Sequence, residues 1–126
     1  MDSTAQTRRR RIILGLMSFG PPKEIAGRGI TDLGEFNEAL DLFGSYGYTE
    51  IDTARVYAGG KQEAFTGKSN WKRNGMKIGT KVQYPRKEGA NNAEGVIESV
   101  EASLKDLQTN VIDVGSPSPD QPAVDD

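Results

Sequence analysis

The chain has 126 residues, 35% of them hydrophobic and 27% charged, a composition that suits one modest globular core and excludes the fibrous and fully disordered classes. Sixteen basic residues against eighteen acidic ones leave a formal charge of -2, too small to draw the whole molecule onto nucleic acid or an anionic membrane. Cysteine and histidine are both absent; the lack of cysteine removes disulfides, thiolate nucleophiles and thiolate metal sites, fits a reducing compartment, and leaves no metal site to expect.

Residues 1–11 are polar and basic, and the Arg8–Arg11 run reads as a solvated chain start rather than a docking patch. Ile12-Ile13-Leu14-Gly15-Leu16 is a continuous apolar run, the pattern of a first strand buried on both faces. It is too short to cross a bilayer and lacks the flanks of a signal peptide, so a cytoplasmic location is expected. Gly20-Pro21-Pro22 marks a turn. Leu33, Phe36, Leu40 and Phe43 then recur at helical offsets, predicting a helix over about Leu33 to Tyr46. Asp32 followed by Glu35 makes a variant capping box at its start, and Gly44 and Gly47 are stop signals.

Tyr48 to Ala54, centred on Ile51 and Asp52, predicts a second strand feeding a loop that holds Gly59 and Gly60. A weaker helix is expected over about Lys61 to Arg73, interrupted by Gly67, with Phe65 and Trp71 packed in the core. Lys77 to Val82 predicts a third strand, with a Tyr84-Pro85 turn after it. Ala93 to Leu107 predicts a third helix with Val96, Ile97, Val100, Leu104 and Leu107 on one side, and Val111-Ile112-Asp113-Val114 begins a fourth strand. Residues 115–126 hold three prolines and little apolar mass, an irregular tail.

Strand alternating with helix implies parallel strands joined by right-handed crossovers, an α/β layer or barrel. In such folds reactive groups gather at the carboxyl ends of the strands. Asp52, Tyr57 and Lys81 all fall there. A phenol exchanges a proton poorly at neutral pH, but a nearby ammonium stabilises its anion and a carboxylate can hold that ammonium in place. The alternative is a plain ion pair of Asp52 with Lys81 or Arg55, with Tyr57 packed alongside. Spacing alone makes the plain pair the commoner outcome. Gly59-Gly60-Lys61 lacks the spacing and the Ser/Thr of a P-loop, and no G-x-G-x-x-G opens a helix.

The stretch Asp52-Thr53-Ala54-Arg55-Val56-Tyr57-Ala58-Gly59-Gly60-Lys61-Gln62-Glu63 resembles the D-T-A-x-x-Y-x-x-G-x-x-E signature of the aldo-keto reductases. The resemblance extends to Leu14–Gly20, to Thr80-Lys81-Val82 and to Ser99–Leu107, and spans about residues 12 to 114. Gly15-Leu16-Met17 and Gly59-Gly60-Lys61 look most like the aflatoxin-aldehyde-reductase branch. The resemblance implies a (βα)8 TIM barrel and the NADPH-dependent reduction of aldehydes or ketones. It makes Tyr57 the general acid, Lys81 the cation that activates it, and Asp52 the carboxylate that orients Lys81. Met17 and Ser18 match the loop beside the nicotinamide, and fungal-like wording suggests secondary metabolism.

The family's fourth catalytic residue is a histidine in a motif like L-H-x-P-D after the fourth strand. Counting from Asp113 puts Ser118 in its place, whereas matching Pro119-Asp120 to the motif puts Pro117 there. Serine can donate a hydrogen bond but holds no proton charge near neutral pH. A closed barrel takes roughly 250 residues, so the chain is expected to be a partial barrel: about four parallel strands and three helices over 12–114, a basic segment over 1–11 and a Pro-rich tail over 115–126. The family groups that grip the cofactor come mostly from the second half of the barrel. The expectation is therefore a weak or inactive reductase of small carbonyl compounds. The competing readings are a remnant without a role, or an interaction fragment that docks its open edges onto itself or a full-length relative.

Overall fold

The computed structural model describes residues 10–25, 29–82 and 93–116. Arg8 and Arg9, the Tyr84-Pro85 turn, and Pro117, Ser118 and the rest of the tail lie outside the described residues. Four strands, β1 (Ile13–Gly15), β2 (Glu50–Asp52), β3 (Lys77–Lys81) and β4 (Val114–Ser116), pair in parallel in the order β1-β2-β3-β4. The helices between them are α1 (Pro22–Ile25), α2 (Leu33–Ser45), α3 (Gln62–Gly67) and α4 (Ala93–Leu107). Each strand lies beside the next in sequence. A doubly wound sheet reverses direction at a switch point, whereas an arc of a (βα)8 barrel does not. The chain is α/β and forms a partial TIM barrel, as expected.

The two faces of the sheet have opposite characters, because side chains alternate along a strand. Leu14, Ile51 and Ile78 are in register on one face, where Ile51 and Ile78 are buried. They join Leu16, Phe36, Leu40, Trp71, Met76 and Leu107 in the core beneath the helices. Phe36 anchors α2 there, with its ring centroid 4.8 Å from that of Phe19 and 5.4 Å from that of Phe65. On the other face the matching row is Ile13, Glu50 and Lys77, which with Arg11 and Asp113 lines a groove. Arg11 pairs with Glu50 at 2.7 Å.

This polar face corrects the reading of the first strand as buried on both sides. Ile13 remains 45% exposed, since it points away from the helix layer. The Gly20-Pro21-Pro22 turn opens directly into α1, with Pro22 at the first helical position, where its missing N–H has no helical partner to lose. α2 begins as expected: the Asp32 carboxylate accepts from the Glu35 backbone N–H at 3.0 Å. Gly47, at φ 84°, turns the chain out of it.

α1 is a fourth helix where three were expected, and two of the expected helices differ in detail. The 61–73 helix stops at Gly67, and Trp71 reaches the core from the turns beyond it. α4 keeps its limits and buries Leu107 as expected, but the rest of its buried stripe is Ser99 and Ser103, whereas Val96 and Ile97 are 41% and 54% exposed. The fourth strand starts at Val114, later than expected, and runs on through Gly115 and Ser116, which were expected in the irregular tail but pair with β3; the Asp113 N–H already donates to the Ile78 carbonyl at 2.9 Å.

Candidate active site

β2 ends on Asp52, whose register partners are Gly15 on β1 and Gly79 on β3. No side chain flanks the carboxylate on either strand, so Lys81, two residues beyond Gly79 on the same face, can lean over it. Lys81 Nζ donates to Asp52 Oδ2 at 2.7 Å, to the Thr53 carbonyl at 3.1 Å and to Tyr57 Oη at 3.4 Å. An ammonium has three N–H bonds, and here each has an acceptor. The contact to Tyr57 is long for a hydrogen bond; Lys81 Nζ also sits 5.1 Å from the centroid of the tyrosine ring, within reach of a cation–π attraction.

The loop is held beside Lys81 by backbone pairing that continues past the end of β2. The Thr53 N–H donates to the Gly79 carbonyl at 2.8 Å and the Arg55 N–H to the Lys81 carbonyl at 3.1 Å. Tyr57 then opens a 3-10 turn, Tyr57–Gly60, in which Ala58, Gly59 and Gly60 adopt φ of 53°, 63° and 88°. Glycine takes such left-handed conformations without steric cost. This reversal leads into α3, which returns the chain to the core.

Burial pulls the Lys81 ammonium down, but hydrogen bonding to Asp52 and the attraction of its charge, followed by those of Tyr57, outweigh it. Its pKa stands above the ordinary lysine value. Lys81 therefore stays charged through the physiological range. Because Tyr57 Oη accepts from that charge, its own O–H is left to donate outward.

The pairing of Asp52 with Arg55 does not occur. Arg55 lies on the helix side, where its guanidinium donates to Glu63 at 2.6 Å and to Asp106 at 2.7 Å. Glu63 is buried and also accepts from the hydroxyls of Thr80 at 2.7 Å and Ser103 at 2.9 Å. Beside it, buried Gln62 accepts from Thr53 at 2.6 Å and Thr66 at 2.8 Å, and donates to the Phe19 carbonyl at 3.2 Å. Sequence reasoning missed this network. Its one signal was the position of Glu63 at the end of the D-T-A-x-x-Y-x-x-G-x-x-E stretch.

The structure thus brings Asp52, Tyr57 and Lys81 together. Met17 and Ser18 stand exposed just beyond the carboxyl end of β1, where Ser18 is tied through its carbonyl to the Ile30 N–H at 3.0 Å. Among the described residues, no helix is long and apolar enough to cross a membrane, and no group of three acidic, histidine or cysteine side chains could hold a metal ion.

The fold is a parallel α/β arc of the barrel class that presents a tyrosine, a charged lysine and an aspartate at the carboxyl ends of its strands. Residues 11–116 match the sequence model of the Aldo/keto reductase family, and the chain belongs to that family. It is 36% identical over 124 residues to norsolorinic acid reductase B of Dothistroma septosporum, covering 88% of this chain and 31% of that protein. It is 32% identical over 87 residues to the aldo-keto reductase pigE of Monascus ruber, covering 69% of this chain and 25% of that one. Among solved structures, it resembles an aldo-keto reductase of Klebsiella pneumoniae in complex with NADPH, with a TM-score of 0.62 and 27% identity over 82% of this chain and 33% of the other. The chain therefore spans about a quarter to a third of the length of these relatives.

Proposed function

We propose that residues 12–114 form the first half of an aldo-keto reductase barrel and supply the proton-transfer part of a site that reduces aldehydes or ketones with NADPH. Residues 1–11 and 115–126 flank that unit in this reading, although Gly115 and Ser116 still pair with β3 as the end of β4. The observation that carries it is the Lys81 ammonium, shared among Asp52, Thr53 and Tyr57. A bound reduced nicotinamide would supply the hydride to the carbonyl carbon. Tyr57 would give its phenolic proton to the carbonyl oxygen as charge develops there. Lys81 would stabilise the phenolate left behind, and Asp52 would hold Lys81 against rotation.

Met17 and Ser18 fit the ring end of such a cofactor, since an exposed thioether and hydroxyl beside the polar cluster give it one apolar and one polar neighbour. The family resemblance would bring Asp52 to the same cofactor. With no histidine in the sequence, the carbonyl lacks the family's usual orienting group, and the activity proposed for this polypeptide is weak. The wording of Gly15-Leu16-Met17 and Gly59-Gly60-Lys61 supports a place near the aflatoxin-aldehyde-reductase branch, and the names of the fungal relatives support secondary metabolism. A cytoplasmic location goes with the absence of cysteine.

The test is carbonyl-dependent oxidation of NADPH by the purified chain over a panel of aryl and alkyl aldehydes. Slow turnover that Tyr57→Phe lowers by about 100-fold is expected. Oxidation that ignores either the aldehyde or the substitution would overturn the reading. An interaction fragment docking on itself or a relative is the alternative, drawing on exposed Ile13, Val96 and Ile97; it gives no use to the Lys81–Tyr57 geometry.

A further inference from the structure

Behind the sheet, on the face opposite Asp52 and Lys81, the Glu63 carboxylate is almost wholly shielded from water. A carboxylate buried there is tolerated only when its oxygens are well bonded. Three donors meet it: the Arg55 guanidinium at 2.6 Å, the Thr80 hydroxyl at 2.7 Å and the Ser103 hydroxyl at 2.9 Å. They come from three parts of the chain. Arg55 is two residues before Tyr57, Thr80 is next to Lys81, and Ser103 lies on α4. Arg55 is further bound to Asp106 on α4 at 2.7 Å. Because Thr80 and Lys81 point to opposite faces of β3, a bond that fixes the Thr80 side chain also fixes the side from which Lys81 leaves the strand.

We propose that Glu63 is a positioning residue: without touching Tyr57, Lys81 or Asp52, it sets the spacing between the Lys81 ammonium and the Tyr57 hydroxyl by tying the loop, β3 and α4 to one carboxylate. Together with Asp106 it also holds the Arg55 guanidinium on the helix side, which leaves Asp52 to Lys81. The raised pKa of Arg55, in which burial is outweighed by Asp106 and Glu63, agrees with a guanidinium committed to those two carboxylates. The catalytic use of this spacing rests on the reductase reading; the spacing itself does not.

The experiment follows the Lys81 ammonium by NMR titration of the full chain carrying biosynthetically incorporated 13C,15N-lysine, read at the Lys81 Cε, with its signal assigned through Lys81→Arg. Thr80→Val removes one hydroxyl at nearly constant volume, Glu63→Gln removes the charge, and Thr80→Ser keeps the hydroxyl. If Glu63 positions the pair, Thr80→Val and Glu63→Gln lower the Lys81 midpoint toward the ordinary lysine value, and Thr80→Ser leaves it in place, all with unchanged helical circular dichroism. Should Glu63→Gln fail to fold, the Thr80 pair decides. An unmoved midpoint in folded Thr80→Val overturns the proposal. The titration needs no turnover, so a shifted midpoint in a chain that never oxidises NADPH upholds the positioning role and removes the reductase reading alone.

Discussion

Lys81 is the residue on which the site turns, and its surroundings make a pH prediction. Its folded pKa lies above the unfolded value through Asp52 and Tyr57, against the pull of burial. A lysine shifted in that direction contributes stability that is complete below its unfolded pKa of about 10.4 and fades as pH rises through the folded value. The urea midpoint of the native chain should therefore fall more steeply above about pH 10 than that of Lys81→Met, while the gap between the two stays constant at lower pH. A parallel fall in both proteins would mean that the pair contributes nothing. Asp52, Tyr57 and Lys81 were all legible from one stretch of sequence and one strand. The partner of Arg55 was not: strand alternation sends a side chain three positions from Asp52 to the other face, and only the fold shows Glu63 and Asp106 waiting there.

At the scale of elements, α4 is the informative case. Its apolar residues Val96, Ile97, Val100, Leu104 and Leu107 suggested the buried side, yet of these only Leu107 is fully buried, and it is joined by Ser99 and Ser103. Small hydroxyl side chains let α4 approach α3 closely enough for Ser103 to bond Glu63 at 2.9 Å. The same closeness appears at Gly67, where an added Cβ would strike the carbonyl of Asp106. Gly67→Ala should lower stability by roughly 1–3 kcal/mol, the usual cost of overpacking, read as a drop in Tm. An unchanged Tm would show that the α3–α4 contact is loose. The start of α2, by contrast, was legible in full. Its cap is a local interaction between Asp32 and Glu35, and no tertiary contact is needed to form it.

For the molecule as a whole, the sheet is packed on one side only among the described residues, so a single layer of side chains beneath α2 carries much of the stability. Phe36 is its hub, fully buried between Phe19 and Phe65. Removing such a ring costs about 3–5 kcal/mol, against a total of only about 5–15 kcal/mol for an ordinary domain. Phe36→Ala is therefore expected to leave the chain largely unfolded at ambient temperature by near-UV circular dichroism. Retention of a native spectrum would mean that the core draws on more than the layer described.

Alternation of strand and helix, the caps of α2 and the positions of Asp52, Tyr57 and Lys81 were determined by the sequence alone, because each is a local pattern or a short motif read along the chain. The tertiary structure decided which face of β1 and α4 is buried, where Arg55 turns, and that Glu63 is the meeting point of a loop, a strand and a helix. These depend on contacts between residues up to 51 positions apart, and no local periodicity records a partner at that distance.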